Sequence, residues 1–118
     1  MLISIITPTF NSENSIDKCA QSIINQSYKN FEHIIIDNLS TDKTLDNLKN
    51  IYLANKLSSN LRIISEKDYG ISDAFNKGIN TASGDIIGIL NSDDYYFSND
   101  IFEKIIYSFN NQKILFVH

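Results

Sequence analysis

"DIIGILNSDD", residues 85–94, carries an Ile-rich apolar stretch straight into a serine and two adjacent carboxylates. The apolar part lacks the strict alternation of a strand with one wet face, so it reads as a strand covered on both faces. Working outward, "LISIIT" (2–7), "HIIID" (33–37), "LRIIS" (61–65) and "KILFV" (113–117) repeat the same signature. The stretches between them change period. Ile16, Cys19, Ala20, Ile23 and Ile24 recur at helical spacing, which places Cys19 in the core. Leu45, Leu48 and Tyr52 do the same in the second connection, Ile71, Ala74, Phe75 and Ile79 in the third, and Ile101, Ile105 and Phe109 in the fourth. Ser40-Thr41-Asp42 and Ser98-Asn99-Asp100 stand where the second and fourth helices start. Strand and helix thus alternate along the chain, which predicts an α/β fold with a parallel sheet and right-handed crossovers.

Composition narrows the chemistry. The 118 residues carry a net charge of −4, so there is no basic field to capture nucleic acid or anionic lipid. A phosphate in the ligand would need local donors or a metal. The single cysteine excludes an internal disulfide and a cysteine-based zinc site. "MLISIITPTF" has neither a basic leader nor a long apolar core, and reads as a first strand rather than a signal peptide. No apolar run approaches the roughly 20 residues that span a bilayer. The chain stops on "KILFVH", in or just after the fifth strand, and we expect a domain truncated there.

Ligands of parallel α/β sheets bind beyond the carboxyl ends of the strands. Here those ends are Thr7-Pro8-Thr9-Phe10-Asn11, Asp37-Asn38, Glu66-Lys67-Asp68 and Asn91-Ser92-Asp93-Asp94. All four are polar and three carry acids. No glycine follows the first strand in "TPTFNSEN", which removes a G-x-G-x-x-G site, and no phosphate-cradling G-x-x-x-x-G-K-[ST] occurs. Acids at strand ends instead suit a hard divalent cation bridging phosphates. Taken singly, each cluster also reads as ordinary punctuation. Asp37-Asn38 before Ser40-Thr41 can be a turn and a cap, and Asp93-Asp94 can be turn residues. Asp73 favours the positive end of the third helix, and Lys67 and Lys77 read as solvated. Tyr95, Tyr96 and Phe97 can line a sugar pocket or pack beneath the loop. His33 and His118 have no ligand-spaced partner.

The ordered set "IITPTFN", "HIIIDNLSTDKT", "SEKDYGISDAFNKGI" and "GDIIGILNSDD" resembles the nucleotide-sugar-binding half of a family 2 glycosyltransferase with the GT-A fold. The resemblance runs over essentially the whole chain, 1–118. It implies a Rossmann-like three-layer α/β/α architecture and sugar transfer from a nucleoside diphosphate, usually UDP, to a glycan or lipid-linked acceptor. It further implies Mg²⁺ or Mn²⁺, an inverting outcome, and work on surface polysaccharide at the cytoplasmic side, in the cytoplasm or peripheral at the inner face of the membrane. On this resemblance Pro8, Thr9 and Phe10 border the nucleoside, Asp37 hydrogen-bonds the base, and Asp68 lies in the segment closing over the donor. Ser92, Asp93 and Asp94 fall on the metal-binding "DxD" element, with Asp93 the ligand and Asp94 its support. The general base is expected after residue 118. The chain departs from the family pattern at Asn91, where an acid often stands, at Leu39 and Lys43, where glycine is common, and at Phe75, often arginine.

Overall fold

A computed structural model describes residues 1–111. Four parallel strands, β1 (Ile3–Thr9), β2 (Phe31–Asp37), β3 (Leu61–Ser65) and β4 (Ile86–Ile89), lie in the order β3-β2-β1-β4. They alternate with α1 (Ile16–Ile24), α2 (Thr44–Ala54), α3 (Ile71–Thr81) and α4 (Ile101–Asn110). The predicted strand at 113–117 lies outside the described residues.

Strand parity sorts the side chains onto two faces. Ile3 and Ile5 of β1 and Phe31 and Ile35 of β2 join the buried residues of α1, Leu48 and Tyr52 of α2, and Phe102 of α4. The alternate set, Ile6, Ile34 and Ile36, packs under Ala74 of α3. Helices therefore cover both faces, the three-layer arrangement the resemblance implies. Gly78 brings α3 down onto β1, where a Cβ would come within 2.5 Å of Ile6 Cγ2.

All five α1 positions expected to be apolar contacts are buried. On α2 the expected Leu48 and Tyr52 are buried as well, with Leu45 packed against them, whereas α3 and α4 depart in part from the expected faces. On α3 the buried residues are Ala74 and Gly78, whereas Ile71 and Ile79 are largely exposed, as are Ile87 and Ile89 on the same side of β4. On α4 the fully buried anchor is Phe102, which meets Phe31 at 5.8 Å between ring centroids, and Ile101, Ile105 and Phe109 flank it. The helix starts also differ. Asp42 accepts the Thr44 N–H at 2.9 Å, but the first turn of α4 is served from α1's side of the fold. There, buried Gln26 accepts the Phe102 N–H at 3.1 Å and donates to the Ser98 carbonyl at 2.7 Å.

Pro8 sits inside β1 without cost to the ladder. The Leu90 N–H bonds the Ile6 carbonyl and the Asn38 N–H bonds the Thr9 carbonyl, so even-numbered β1 groups face β4 and odd ones face β2. The donor Pro8 lacks would point past the end of β4, whose pairing with β1 stops at Ile6.

Candidate functional site

The strand order reverses direction at β1: β2 and β3 extend to one side and β4 lies on the other. The β1–α1 and β4–α4 loops both lead from this point into the layer of α1, α2 and α4, at the place where α/β sheets bind ligands. Ser12 Oγ donates to Ser92 Oγ at 3.1 Å, tying the two loops together across it.

Asp37 ends β2 and is fully buried. One of its carboxylate oxygens accepts the Thr9 hydroxyl at 2.6 Å and the Ser40 hydroxyl. The other accepts the Ser40 N–H at 2.9 Å and the Ser65 hydroxyl at 2.8 Å. Burial pushes this carboxyl up, and the donors from Ser40, Thr9 and Ser65 outweigh it, leaving it below the ordinary aspartate value. Ser40 in turn receives the Asn11 N–H at 2.9 Å, and Asn11 Oδ1 accepts the Thr41 N–H at 2.8 Å. Asp37 therefore gathers the ends of β1, β2 and β3 and sets the path of the loop carrying Phe10.

With its lone pairs occupied, Asp37 does not face the crevice. Parity explains this: residues 31, 33, 35 and 37 point toward α1 and α2, so the next residue, Asn38, points toward α3. On that side a cleft of about 240 Å³ is lined by Pro8, Thr9, Phe10, Asn38, Asp68, Gly70 and Ile71. The structure thus brings Pro8, Thr9, Phe10 and Asp68 together and puts Asp37 behind them. Thr9 is held by its bond to Asp37, and the Phe10 ring is 59% exposed, free to lie against a planar group. Asn38 Oδ1 accepts the Asp68 N–H at 3.0 Å, which directs the amide of Asn38 at the cleft wall. Asp68 accepts the Gly70 N–H at 3.1 Å, and Gly70, at φ 116°, opens α3 in a conformation that side chains resist. The N-terminus of α3 consequently borders the cleft with its partial positive charge.

The sequence alone assigns no role to Asn38, Ser12 or Gly70. Asn38 adjoins Asp37, and only the direction of its side chain separates the two.

Ser92, Asp93 and Asp94 follow β4 on the far side of the switch point. Ser92 is half-buried, while Asp93 and Asp94 are exposed in a turn closed by the Asp94 N–H on the Asn91 carbonyl at 3.0 Å. Among the described residues no group of three or more His, Cys, Asp and Glu side chains converges to form a metal cage. Two exposed carboxylates with hard oxygens nonetheless fit Mg²⁺ or Mn²⁺, which keep waters and complete their shells with substrate phosphates. The remaining acids near the cleft are committed. Lys77 pairs with Glu66 at 3.2 Å and with Asp73 at 3.3 Å, rather than standing free in solvent.

His33 is also accounted for. It is fully buried, with Nε2 2.7 Å from the Thr7 hydroxyl and Nδ1 2.7 Å from the Tyr52 hydroxyl. Burial lowers its pKa to about 3, so the ring is a neutral link between β1, β2 and α2. His118 lies outside the described residues.

The profile of the family described as Glycosyl transferase family 2 matches residues 4–117. A dolichyl N-acetyl-glucosaminyl phosphate diacetamido-dideoxy-glucuronosyltransferase of Methanococcus voltae is 41% identical over 79% of this chain and 29% of its own length. The crystal structure of Staphylococcus aureus TarS 1-349 in complex with UDP-GlcNAc superposes with a TM-score of 0.82 at 28% identity, over 94% of this chain and 32% of that one. A Pyrobaculum calidifontis mannosyltransferase in complex with GDP-Man and Mn²⁺ shares the fold, with a TM-score of 0.78 at 23% identity over 88% of this chain and 31% of that one. Several curated relatives are much longer, the chain spanning between 18% and 40% of their length. With its acid-ended parallel strands and a family match over nearly all its length, this chain belongs to glycosyl transferase family 2.

Proposed function

We propose that residues 1–118 form the donor-binding part of a glycosyltransferase that moves a sugar from a nucleoside diphosphate, UDP in the first instance, to a glycan or lipid-linked acceptor. The observation that carries this reading is the cleft beside the β1 switch point, where an exposed aromatic ring, an oriented amide and a helix N-terminus meet. Phe10 stacks on the base. Asn38 replaces Asp37 as the group that reads the base edge, since its amide can donate to a ring carbonyl and accept a ring N–H. Asp37 keeps the positioning role its four donors describe. Pro8 and Thr9 form the wall under the nucleoside, and Asp68 with the start of α3 closes over the ribose and diphosphate. The known complexes of TarS with UDP-GlcNAc support a UDP-sugar as the donor class.

In this reading Asp93 and Asp94 hold Mg²⁺ or Mn²⁺ together with the diphosphate, and Ser92, bonded to Ser12, keeps that turn against the β1–α1 loop. A divalent cation there would offset the charge that develops on the leaving diphosphate. An inverting transfer also requires a base for the acceptor hydroxyl. Glu66 and Asp73 share Lys77 and are poor candidates, so we assign the base to a segment beyond this chain. The chain's place in this reading is surface polysaccharide synthesis at the cytoplasmic side. No helix among the described residues is long and apolar enough to cross a membrane.

Calorimetry of the chain with UDP, with and without Mn²⁺, tests the proposal. Saturable UDP binding strengthened by Mn²⁺ is expected. Absence of binding at millimolar UDP in both conditions would remove the donor role.

A further inference from the structure

The loop after Asp94 turns three consecutive aromatic residues to different uses. Tyr96 goes inward: its N–H bonds Ser22 Oγ at 3.0 Å, and its ring packs edge-on against Phe102 at 5.6 Å. Tyr95 and Phe97 are thereby turned outward, with Phe97 91% exposed. They meet edge to face at 5.3 Å, and Lys18 Nζ sits 4.0 Å above the Tyr95 ring centre. A phenylalanine ring left in water forgoes the stabilisation that burial would give it.

The loop is pinned at its α4 end. Gln26 holds the Ser98 carbonyl, and the Ser27 N–H and hydroxyl both bond the Asn99 carbonyl, at 2.8 Å and 3.0 Å. Between it and the outer face of α1 lies a cavity of about 370 Å³. Its floor is an amide pair, Gln21 Nε2 donating to Asn25 Oδ1 at 2.7 Å. That leaves Gln21 Oε1 as an acceptor and Asn25 Nδ2 as a donor, both without partners among the described residues. No carboxylate lines the cavity, and its one cation, Lys18, is engaged with Tyr95.

A preformed hollow with two aromatic faces, free amide groups and no unpaired charge suits a neutral ring with one apolar C–H face and a rim of hydroxyls. We infer that the α1 and 95–99 loop cavity is a carbohydrate subsite, separate from the donor cleft, that takes a neutral pyranose unit against Phe97 and Tyr95 with Gln21 and Asn25 on its hydroxyls. Its use for an acceptor glycan, entering beside Asp93 and Asp94, rests on the proposed function; the binding itself does not.

The test is a heteronuclear NMR titration of the full chain with cellotetraose, chitotetraose and mannotetraose, followed by UDP. At least one oligosaccharide is expected to shift the side-chain amides of Gln21 and Asn25 and the ring signals of Tyr95 and Phe97. Phe97→Ala, at an exposed position, is expected to weaken that binding at least about tenfold with an unchanged thermal midpoint. UDP should move Phe10 and Asn38 signals instead, so failure of the donor reading shows separately. The subsite is overturned if all three sugars leave the cavity signals still, if the shifts map to the Phe10–Asp68 cleft, if Phe97→Ala binds as tightly as the parent, or if a proline-rich peptide binds there and the sugars do not.

Discussion

The ends of β2 and β4 carry the same residue type at the same place in the fold and put it to opposite use. Asp37 is buried with four donors on its two oxygens, whereas Asp93 and Asp94 stand exposed beyond β4. A carboxylate whose acceptor sites are filled by the protein is part of the scaffold. One that meets water still has lone pairs to offer a cation. Location at a strand end therefore identifies a neighbourhood, and saturation decides which acids within it can bind anything.

The sharpest way to break this contrast is to remove each carboxylate and measure stability. Asp37→Ala would leave the hydroxyls of Thr9, Ser40 and Ser65 and one backbone N–H without their acceptor. Hydrogen bonds to charged groups and orphaned buried donors together imply a loss of about 3 kcal/mol or more, a large share of a small domain's stability. Asp93→Ala should change urea unfolding by no more than about 0.5 kcal/mol. Equal effects at the two positions would dissolve the distinction.

Acid titration tests the buried side further, because His33 is buried in the same strand as Asp37, four residues earlier, with partners of its own. Its folded pKa of about 3 lies below the unfolded value, so the unfolded chain binds one more proton between roughly pH 6.5 and 3. Stability is full above that window and falls with pH inside it, by about 1.4 kcal/mol per pH unit from this group alone. Asp37, whose pKa is also lowered, contributes above the unfolded aspartate value near 3.9 and loses its contribution only as pH drops below that value. Urea titrations from pH 7 to 4.5 should therefore show the His33 slope before any carboxylate loss. A flat profile there would mean that the ring is not held neutral.

Much of the scaffold was legible because the Ile runs announce strands, but only the central β1 and β2 are covered on both faces; the edge strand β4 carries the same run with Ile87 and Ile89 exposed. The same property hid the site's detail. In a strand wet on one face, alternation tells which side each residue takes; in "HIIID" both sides are Ile, so nothing in the letters shows that Asp37 turns to α2 and Asn38 to α3. The anchor of α4 was missed for a related reason. Ile101, Ile105 and Phe109 share a helical stripe, but the residue that reaches Phe31 is Phe102, one position along, and its N–H is met by Gln26, 76 residues earlier. On α3, Ile71 and Ile79 mark a real apolar stripe, yet only Ala74 and Gly78 lie close enough to β1 and β2 to be covered.

Nucleotide binding sharpens the comparison at a smaller scale. Asp93→Ala is expected to abolish most of the Mn²⁺ enhancement of UDP affinity, about tenfold, while leaving metal-free binding as it was. Asn38→Ala should do the converse, weakening metal-free binding by a few-fold, in keeping with one hydrogen bond of about 1 kcal/mol. Calorimetry in EDTA and in Mn²⁺ separates the two. Loss of metal-free binding in Asp93→Ala would merge the β4 turn with the base-reading cleft.

The smallest effect concerns the turn that wraps Asp37. Leu39 adopts φ 54°, the left-handed region, and is 53% exposed, so little packing offsets its strain. A left-handed leucine costs about 1–2 kcal/mol, and glycine there would recover most of it, less the roughly 0.5–1 kcal/mol of extra unfolded-state freedom. Leu39→Gly should therefore stabilise the chain by about 0.5 kcal/mol. Lys43, by contrast, sits at an ordinary φ of −88° before α2, so Lys43→Gly should destabilise instead. Opposite signs in paired urea titrations would show that glycine at position 39 serves the backbone around the saturated acid. A loss of stability in Leu39→Gly would mean that the side chain itself holds the turn, and that the β2 end is kept by more than the donors on Asp37.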